Sequence, residues 1–126
     1  MSKSVNRAEL IGNLVKDVEF KVTPTGTPIA TFVVATNRSW KTSAGELKEE
    51  TEFHRVVAWQ KLADICAKLL KKGSKVYVEG RMASKKLDNG TYMHEVVADD
   101  VIILDKAPMV EKPTEPVKAV VEEVKE

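Results

Sequence analysis

The chain has little of what enzymatic chemistry usually requires. Its 126 residues include one cysteine, Cys66, and two histidines, His54 and His94. A single cysteine excludes an intrachain disulfide and any cysteine-rich zinc site. Neither histidine stands at a metal-ligand spacing from it, so no metal and no cofactor are expected. There is no G-x-G-x-x-G, no G-x-x-x-x-G-K-S/T and no G-x-S-x-G, which leaves no phosphate cradle and no nucleophile elbow. The acidic pairs Glu49-Glu50 and Asp99-Asp100 are adjacent in sequence, so on a strand their carboxylates point to opposite faces and cannot act as an acid–base couple. An excess of either charge is also lacking: 20 Lys and Arg face 19 Asp and Glu, a net of +1. That balance excludes a bulk polycation that grips nucleic acid by charge alone. No apolar run nears the ~20 residues that span a membrane. Met1-Ser2-Lys3-Ser4-Val5 carries no signal-peptide core, so the cytoplasm is the expected compartment. Aromatics make up only 6%, which gives the position of each one weight.

What the chain does have is strand pattern. Hydrophobic residues reach 43%, enough for a core, and the length suits one domain. The pattern stops near residue 105. Residues 106–126 hold three of the five prolines, no glycine and no aromatic, and read as a disordered tail. The end of that tail, Val117 to Glu126, has the length of a short helix, but Val120 and Val121 are poor helix formers. Within residues 1–105 a first strand is expected over Ala8 to Val15, with Gly12 marking a bulge or bend and Val18 to Val22 extending it. A turn at Thr23 to Pro28 leads to a second strand over Ile29 to Thr36, a loop over Ser39 to Leu47, and a third strand over Glu50 to Trp59. Leu62, Ile65, Cys66 and Leu69 recur at helical spacing, so Gln60 to Lys72 reads as one helix capped by Gly73. A fourth strand over Lys75 to Ser84 meets an Asn89-Gly90 turn expected to be type I′, and two short strands close the set. Three strands, a helix and two further strands is the order of an all-β, five-stranded OB-fold barrel. Several strands are apolar on both faces, which calls for a second burial partner such as another subunit.

The aromatics stand near positive charge. On the third strand Thr51, Phe53, Arg55, Val57 and Trp59 share one face by the period of two, with Glu52, His54, Val56 and Ala58 on the other. Trp40 lies between Arg38 and Lys41, and Tyr92 follows the Asn89-Gly90 turn near Lys85 and Lys86. Aromatic faces beside Lys and Arg suit single-stranded nucleic acid: each stacked base gains roughly 1–3 kcal/mol, whatever its identity. On pattern alone Phe53 and Trp59 read first as core residues, and Phe20 and Phe32 as core or subunit contacts. Trp40, set among Arg38, Ser39, Lys41, Thr42 and Ser43, is the hardest to bury. His54 alternates with Val56 and Ala58 and reads as a buried or interface histidine. Cys66 reads as a small apolar helix residue.

Several segments resemble the bacterial single-stranded DNA-binding protein family. They are Leu10-Ile11-Gly12-Asn13-Leu14, Ile29 to Asn37 with Trp40, Thr51-Glu52-Phe53-His54-Arg55-Val56-Val57-Ala58-Trp59, and Leu70 to Arg81, with family-like spacing from about residue 4 to residue 104. The resemblance implies an OB-fold homotetramer that binds single-stranded DNA without sequence preference. By motif position the stacking residues are Trp40, Phe53 and Trp59. A fourth stacking aromatic of some members falls at Leu87, which has no π-face. The expected phosphate or groove contacts are Arg7, Arg38, Lys41, Arg55, Lys61, Lys72, Arg81, Lys85 and Lys86, with Tyr92. The expected oligomer contacts are His54, Val76 and Val78. Family tails end in an acidic, Asp-rich tip with a Pro-Phe ending that docks replication and repair proteins. This chain ends Glu122-Glu123-Val124-Lys125-Glu126, without the Asp run or the aromatic, so its tip is atypical and docking of replication or repair proteins would call for a different tail motif. Two alternatives remain at this stage: an OB module for protein interaction with weak DNA binding, and an RNA-binding protein.

Overall fold

A computed structural model describes residues 3–106. The elements are β1 (Ala8–Leu14), β2 (Glu19–Val22), β3 (Pro28–Lys41), β4 (Leu47–Trp59), α1 (Gln60–Leu69), β5 (Lys75–Lys86) and β6 (Tyr92–Asp105). The sheet order is β1-β5-β6-β4-β3-β2, and an added β1–β3 pairing closes the ring. This is an OB-fold: five strands form the barrel, and β1 and β2 lie in series along one edge of β3. The helix falls between β4 and β5, as the sequence order predicts. The tail beyond Lys106 and its expected disorder lie outside the described residues. Among the described residues no helix is long and apolar enough to cross a membrane.

Gly12 makes the closure possible. Residues 8–13 of β1 pair with β5, whereas Asn13 and Leu14 pair with Ala35 and Val34 of β3. The strand therefore changes partner at Asn13, next to Gly12, where a Cβ would collide with the Ala35 carbonyl and the Val34 side chain. The core combines inward side chains of every barrel strand: Leu14, Ala30, Phe32, Val34, Val56, Val76, Val78 and Val96. From α1, Ala63 and Cys66 join it, followed by Leu70. Burial without a charged neighbour raises the Cys66 thiol pKa from 9.0 to about 11.

Four local expectations are corrected. First, the loop expected over Ser39 to Leu47 is the end of a long β3–β4 hairpin, paired from Ile29↔Trp59 out to Lys41↔Leu47. Only Thr42 to Glu46 turn, with the Gly45 amide donating to the Thr42 carbonyl at 2.9 Å. Second, the Asn89-Gly90 turn is not type I′, because Gly90 has φ +91° while Asn89 has no positive φ. Its Leu87–Thr91 closure repeats that of Thr23–Thr27 and Thr42–Glu46, each with one left-handed glycine at the same place. Third, the two closing strands are one strand, β6, bulged where Glu79 and Gly80 face Asp100 and Ala98. Fourth, the helix ends at Leu69 rather than Lys72. Its face is also rotated from expectation. Ala63 and Cys66 are buried, while Ile65 and Leu69 remain 48% and 58% exposed. The spacing of large apolar residues pointed at Ile65 and Leu69, but the close approach to the barrel is made by the smaller side chains.

Candidate nucleic-acid interface

The register of the barrel builds one continuous outer face. On β4, Phe53, Arg55, Val57 and Trp59 point outward, opposite the inward His54, Val56 and Ala58. Their cross-strand partners on β3 are Ala35, Val33, Thr31 and Ile29. On the other side β4 runs parallel to β6, with Val57 beside Val97, and β6 sets Val97 against Arg81 and Met93 against Lys85 of β5. Phe53, Arg55, Trp59, Arg81 and Lys85 therefore share one face of the β3-β4-β6-β5 sheet.

That face leaves its aromatics open. Phe53 is 44% exposed and Trp59 is 45% exposed. The core reading of these two residues is set aside: small neighbours such as Ala35 on β3 do not cover the rings. Phe32, by contrast, is core, while Phe20 on the β2 edge strand is exposed. Gln60, the first residue of α1, is the only described non-glycine residue at positive φ, +58°. This left-handed step turns the chain from strand to helix immediately after Trp59.

Trp40 is placed differently from its expected loop. It lies on β3 opposite Lys48 of β4, on the alternate face of the hairpin from Phe53, together with Arg38 and Glu50. It is 39% exposed, and the Arg38 guanidinium covers one side of its ring, 4.5 Å from the centroid. Arg38 is also paired with Glu50 on the facing strand at 3.2 Å.

Arg55 is held as well. Its Nε donates to Glu95 Oε1 of β6 at 3.2 Å, and the Glu95 side chain is only 15% exposed. Sequence reasoning missed both acidic partners. Glu50 was legible in principle, since it mirrors Arg38 across a hairpin. Glu95 was not, because it reaches Arg55 through a parallel β4–β6 pairing forty residues apart.

Of the remaining candidates, Lys41, Lys86 and Tyr92 lie near the open ends of the two long hairpins, with Lys86 directly opposite Tyr92. Leu87 opens the turn beside them. Lys61 lies in α1, and Lys72 follows it, its backbone N–H donating to Asp17 at 2.8 Å. Arg7 precedes β1 on the side of Tyr77. His54 lies on the inner face, 2.9 Å from the Thr36 hydroxyl. Val76 and Val78 are fully enclosed in the barrel core, at 0% exposure, so their side chains cannot form a subunit contact. Between them on β5 the half-buried Tyr77 points outward, flanked by the exposed Ile11 of β1 and Ile102 of β6, its hydroxyl donating to Glu9 at 2.9 Å.

Comparison with known proteins agrees with this geometry. The profile of the Single-strand binding protein family matches residues 5–104. Single-stranded DNA-binding protein 1 of Chlorobaculum tepidum is 42% identical over 109 residues, covering 82% of this chain and 67% of that protein. The structure of the Plasmodium falciparum SSB in complex with ssDNA superposes with a TM-score of 0.78 at 34% identity, covering 83% of this chain and 99% of that one. A deletion mutant of the single-stranded DNA binding protein from Thermus aquaticus gives a TM-score of 0.75 at 27% identity. The match covers 83% of this chain but only 53% of the Thermus chain. With its OB barrel, its motif spacing and a profile match across nearly all the described residues, this chain belongs to the single-strand binding protein family.

Proposed function

We propose that the protein binds single-stranded DNA without sequence preference, as a non-catalytic homotetramer acting in replication, recombination and repair. The observation that carries this reading is the open outer face on which Phe53 and Trp59 flank Arg55, with Arg81 and Lys85 farther along the sheet. Bases stack on Phe53 and Trp59, and on the free side of Trp40, while the cations follow the phosphates. Backbone tracking without base-edge readout is sequence-tolerant, because every base offers a π-face. The relatives' names support single strands as the ligand class.

Assembly draws support from a second surface. The row of exposed Ile11 and Ile102 about the half-buried Tyr77 puts apolar area on the outer side of β1, β5 and β6, at the other end of β5 from Lys85. Burying it between copies would leave the DNA face open on every subunit. The test is a titration with oligo-dT at two salt concentrations, read by tryptophan fluorescence. Quenching at low salt, weakening as salt rises, is the expected result. No quenching, or equal affinity for duplex DNA, would overturn the reading. Competition by oligo-U separates DNA from RNA preference.

A further inference from the structure

β2 leaves an edge of the sheet open, because it bonds to β3 on one side only. The Thr23 amide donates to the Thr27 carbonyl at 2.9 Å, which makes these two a hydrogen-bonded pair. Bonded pairs alternate along an antiparallel ladder. Lys21 and Glu19 therefore turn their backbone groups to β3, while Phe20 and Val22 turn theirs to the open edge. Among the described residues no backbone group of another element meets them there. We infer that β2 pairs with β2 of a second copy, antiparallel about Phe20, so that neighbouring assemblies join edge to edge and their aromatic faces run on into one another.

Three observations select this occupant and this register. Edge strands are normally guarded by inward charge, proline or a bulge. Within Glu19–Val22 none of these stands on the inner side. Phe20 lies opposite the core residue Ala30, so it shares that side with Val22, and the two are 43% and 58% exposed. Pairing about Phe20 sets the two rings against each other. Charge is the second observation. The same register puts Glu19 of each copy opposite Lys21 of the other, at a non-hydrogen-bonded position where side chains approach most closely. Neither residue has an ion-pair partner among the described residues. A register centred on Lys21 would put lysine against lysine.

Continuity is the third. Lys21 lies opposite Ile29, and Ile29 lies opposite Trp59. A two-fold axis normal to the sheet keeps both outer faces on one side. The two β4 strands are then five inter-strand spacings apart, about 24 Å, with the joint between them. A single strand leaving Trp59 of one copy runs over the joint to Trp59 of the next. Four paired residues make a small contact by the standard of stable complexes, which bury about 1,200 Å² or more. DNA that holds copies side by side reinforces it by raising their effective concentration. This cooperative role rests on the single-strand reading above.

The test is the filling of long poly-dT at subsaturating protein, read by gel shift, beside binding to short oligo-dT. The parent is expected to fill some poly-dT molecules while others stay bare. Glu19→Lys and Lys21→Glu each set like charges opposite at both ends of the joint. Each is expected to lose about tenfold or more of that cooperativity while still binding short oligo-dT. The chain with both substitutions, and an equal mixture of the two single variants assembled separately, restore opposite charges and are expected to recover it. Even filling by a parent that binds short oligo-dT overturns the inference and leaves the single-strand reading intact. Single variants that cluster as the parent does overturn it too. So do losses that neither the double variant nor the mixture recovers, which make the two residues simple DNA contacts. If oligo-dT is not bound at all, the single-strand reading falls, and sedimentation at high protein concentration decides the joint alone. Association beyond the basic assembly, lost in the single variants and regained in the double, supports the joint, and its absence overturns it.

Discussion

Glu95→Gln is expected to tighten binding of single-stranded DNA. Glu95 holds the Arg55 guanidinium at 3.2 Å, so it competes with any phosphate approaching the cation between Phe53 and Trp59. A phosphate bound on the far side of Arg55 would sit roughly 7 Å from the Glu95 carboxylate. At that distance two unit charges repel by about 0.6 kcal/mol in water and about 2.4 kcal/mol at an effective dielectric of about 20. The carboxylate is mostly covered but its partner is 41% exposed, so a value near the middle, about 1 kcal/mol, applies. Removing the charge then raises affinity about fivefold. One more uncompensated cation should also steepen the salt dependence, by about 0.7 in the slope of log K against log salt. Glutamine keeps the size and the acceptor oxygen. Half-exposed ion pairs contribute at most about 1 kcal/mol to stability, so the variant is expected to fold. Oligo-dT titrations at several salt concentrations, on the variant and the parent, measure both effects. An unchanged affinity and slope in a folded variant would refute the claim that Glu95 restrains Arg55.

Other substitutions probe the frame around that face. Gly12→Ala places a methyl against the Ala35 carbonyl and is expected to cost about 2–3 kcal/mol or prevent folding, read by thermal denaturation. Val76→Ala removes a fully buried side chain and is expected to lower stability by about 2 kcal/mol while light scattering shows the same subunit number. Ile102→Glu alters the exposed row beside Tyr77 and is expected to reduce the subunit number without melting the barrel. With its thiol pKa raised to about 11, native Cys66 should react about a hundredfold more slowly with thiol reagents at pH 8 than an ordinary cysteine, and normally once unfolded.

The order of strands and helix was legible in the sequence because period-two alternation and glycine-bearing turns are local signals. Gly12 stood out in a strand pattern as a bulge or bend, whereas the structure gives it a different reason, a close approach of the Ala35 backbone that leaves no room for a Cβ. Ser39 to Lys41 and Leu47 to Glu49 did not read as strand. All but Trp40 and Leu47 of them are polar, because this part of the hairpin runs past the core with both faces exposed, so alternation has nothing to record. That Phe53, Arg55 and Trp59 share one face followed from parity alone. Whether they were covered did not, because coverage depends on the small residues of β3 and on Glu95 arriving from β6. Val76 and Val78 failed as contact residues for a related reason. A strand apolar on both faces does not say which face meets the barrel interior, and the answer came from the register that turns Tyr77 outward.

Balanced charge and acid-paired arginines have a common consequence. Arg38 and Arg55, the cations nearest the aromatic rings, are each tied to a glutamate, Glu50 and Glu95. Neither contributes a fully free positive charge, so a phosphate beside either ring gains less than it would from an unpaired arginine, and among the described residues the unpaired cations of the aromatic face, Arg81 and Lys85, stand farther along the sheet. Stacking requires bases out of the helix, and in a duplex they are already stacked on one another. A site that relies on rings and keeps the cations beside them partly compensated therefore favours single strands twice over: it rewards exposed bases and limits, beside the rings, the uncompensated charge that would also attract duplex DNA. The net of +1 read from composition is thus matched locally, since the ion pairs limit charge at the same place where the aromatics are exposed. On this account Glu95→Gln should narrow the preference for single-stranded over duplex DNA while strengthening the binding of both.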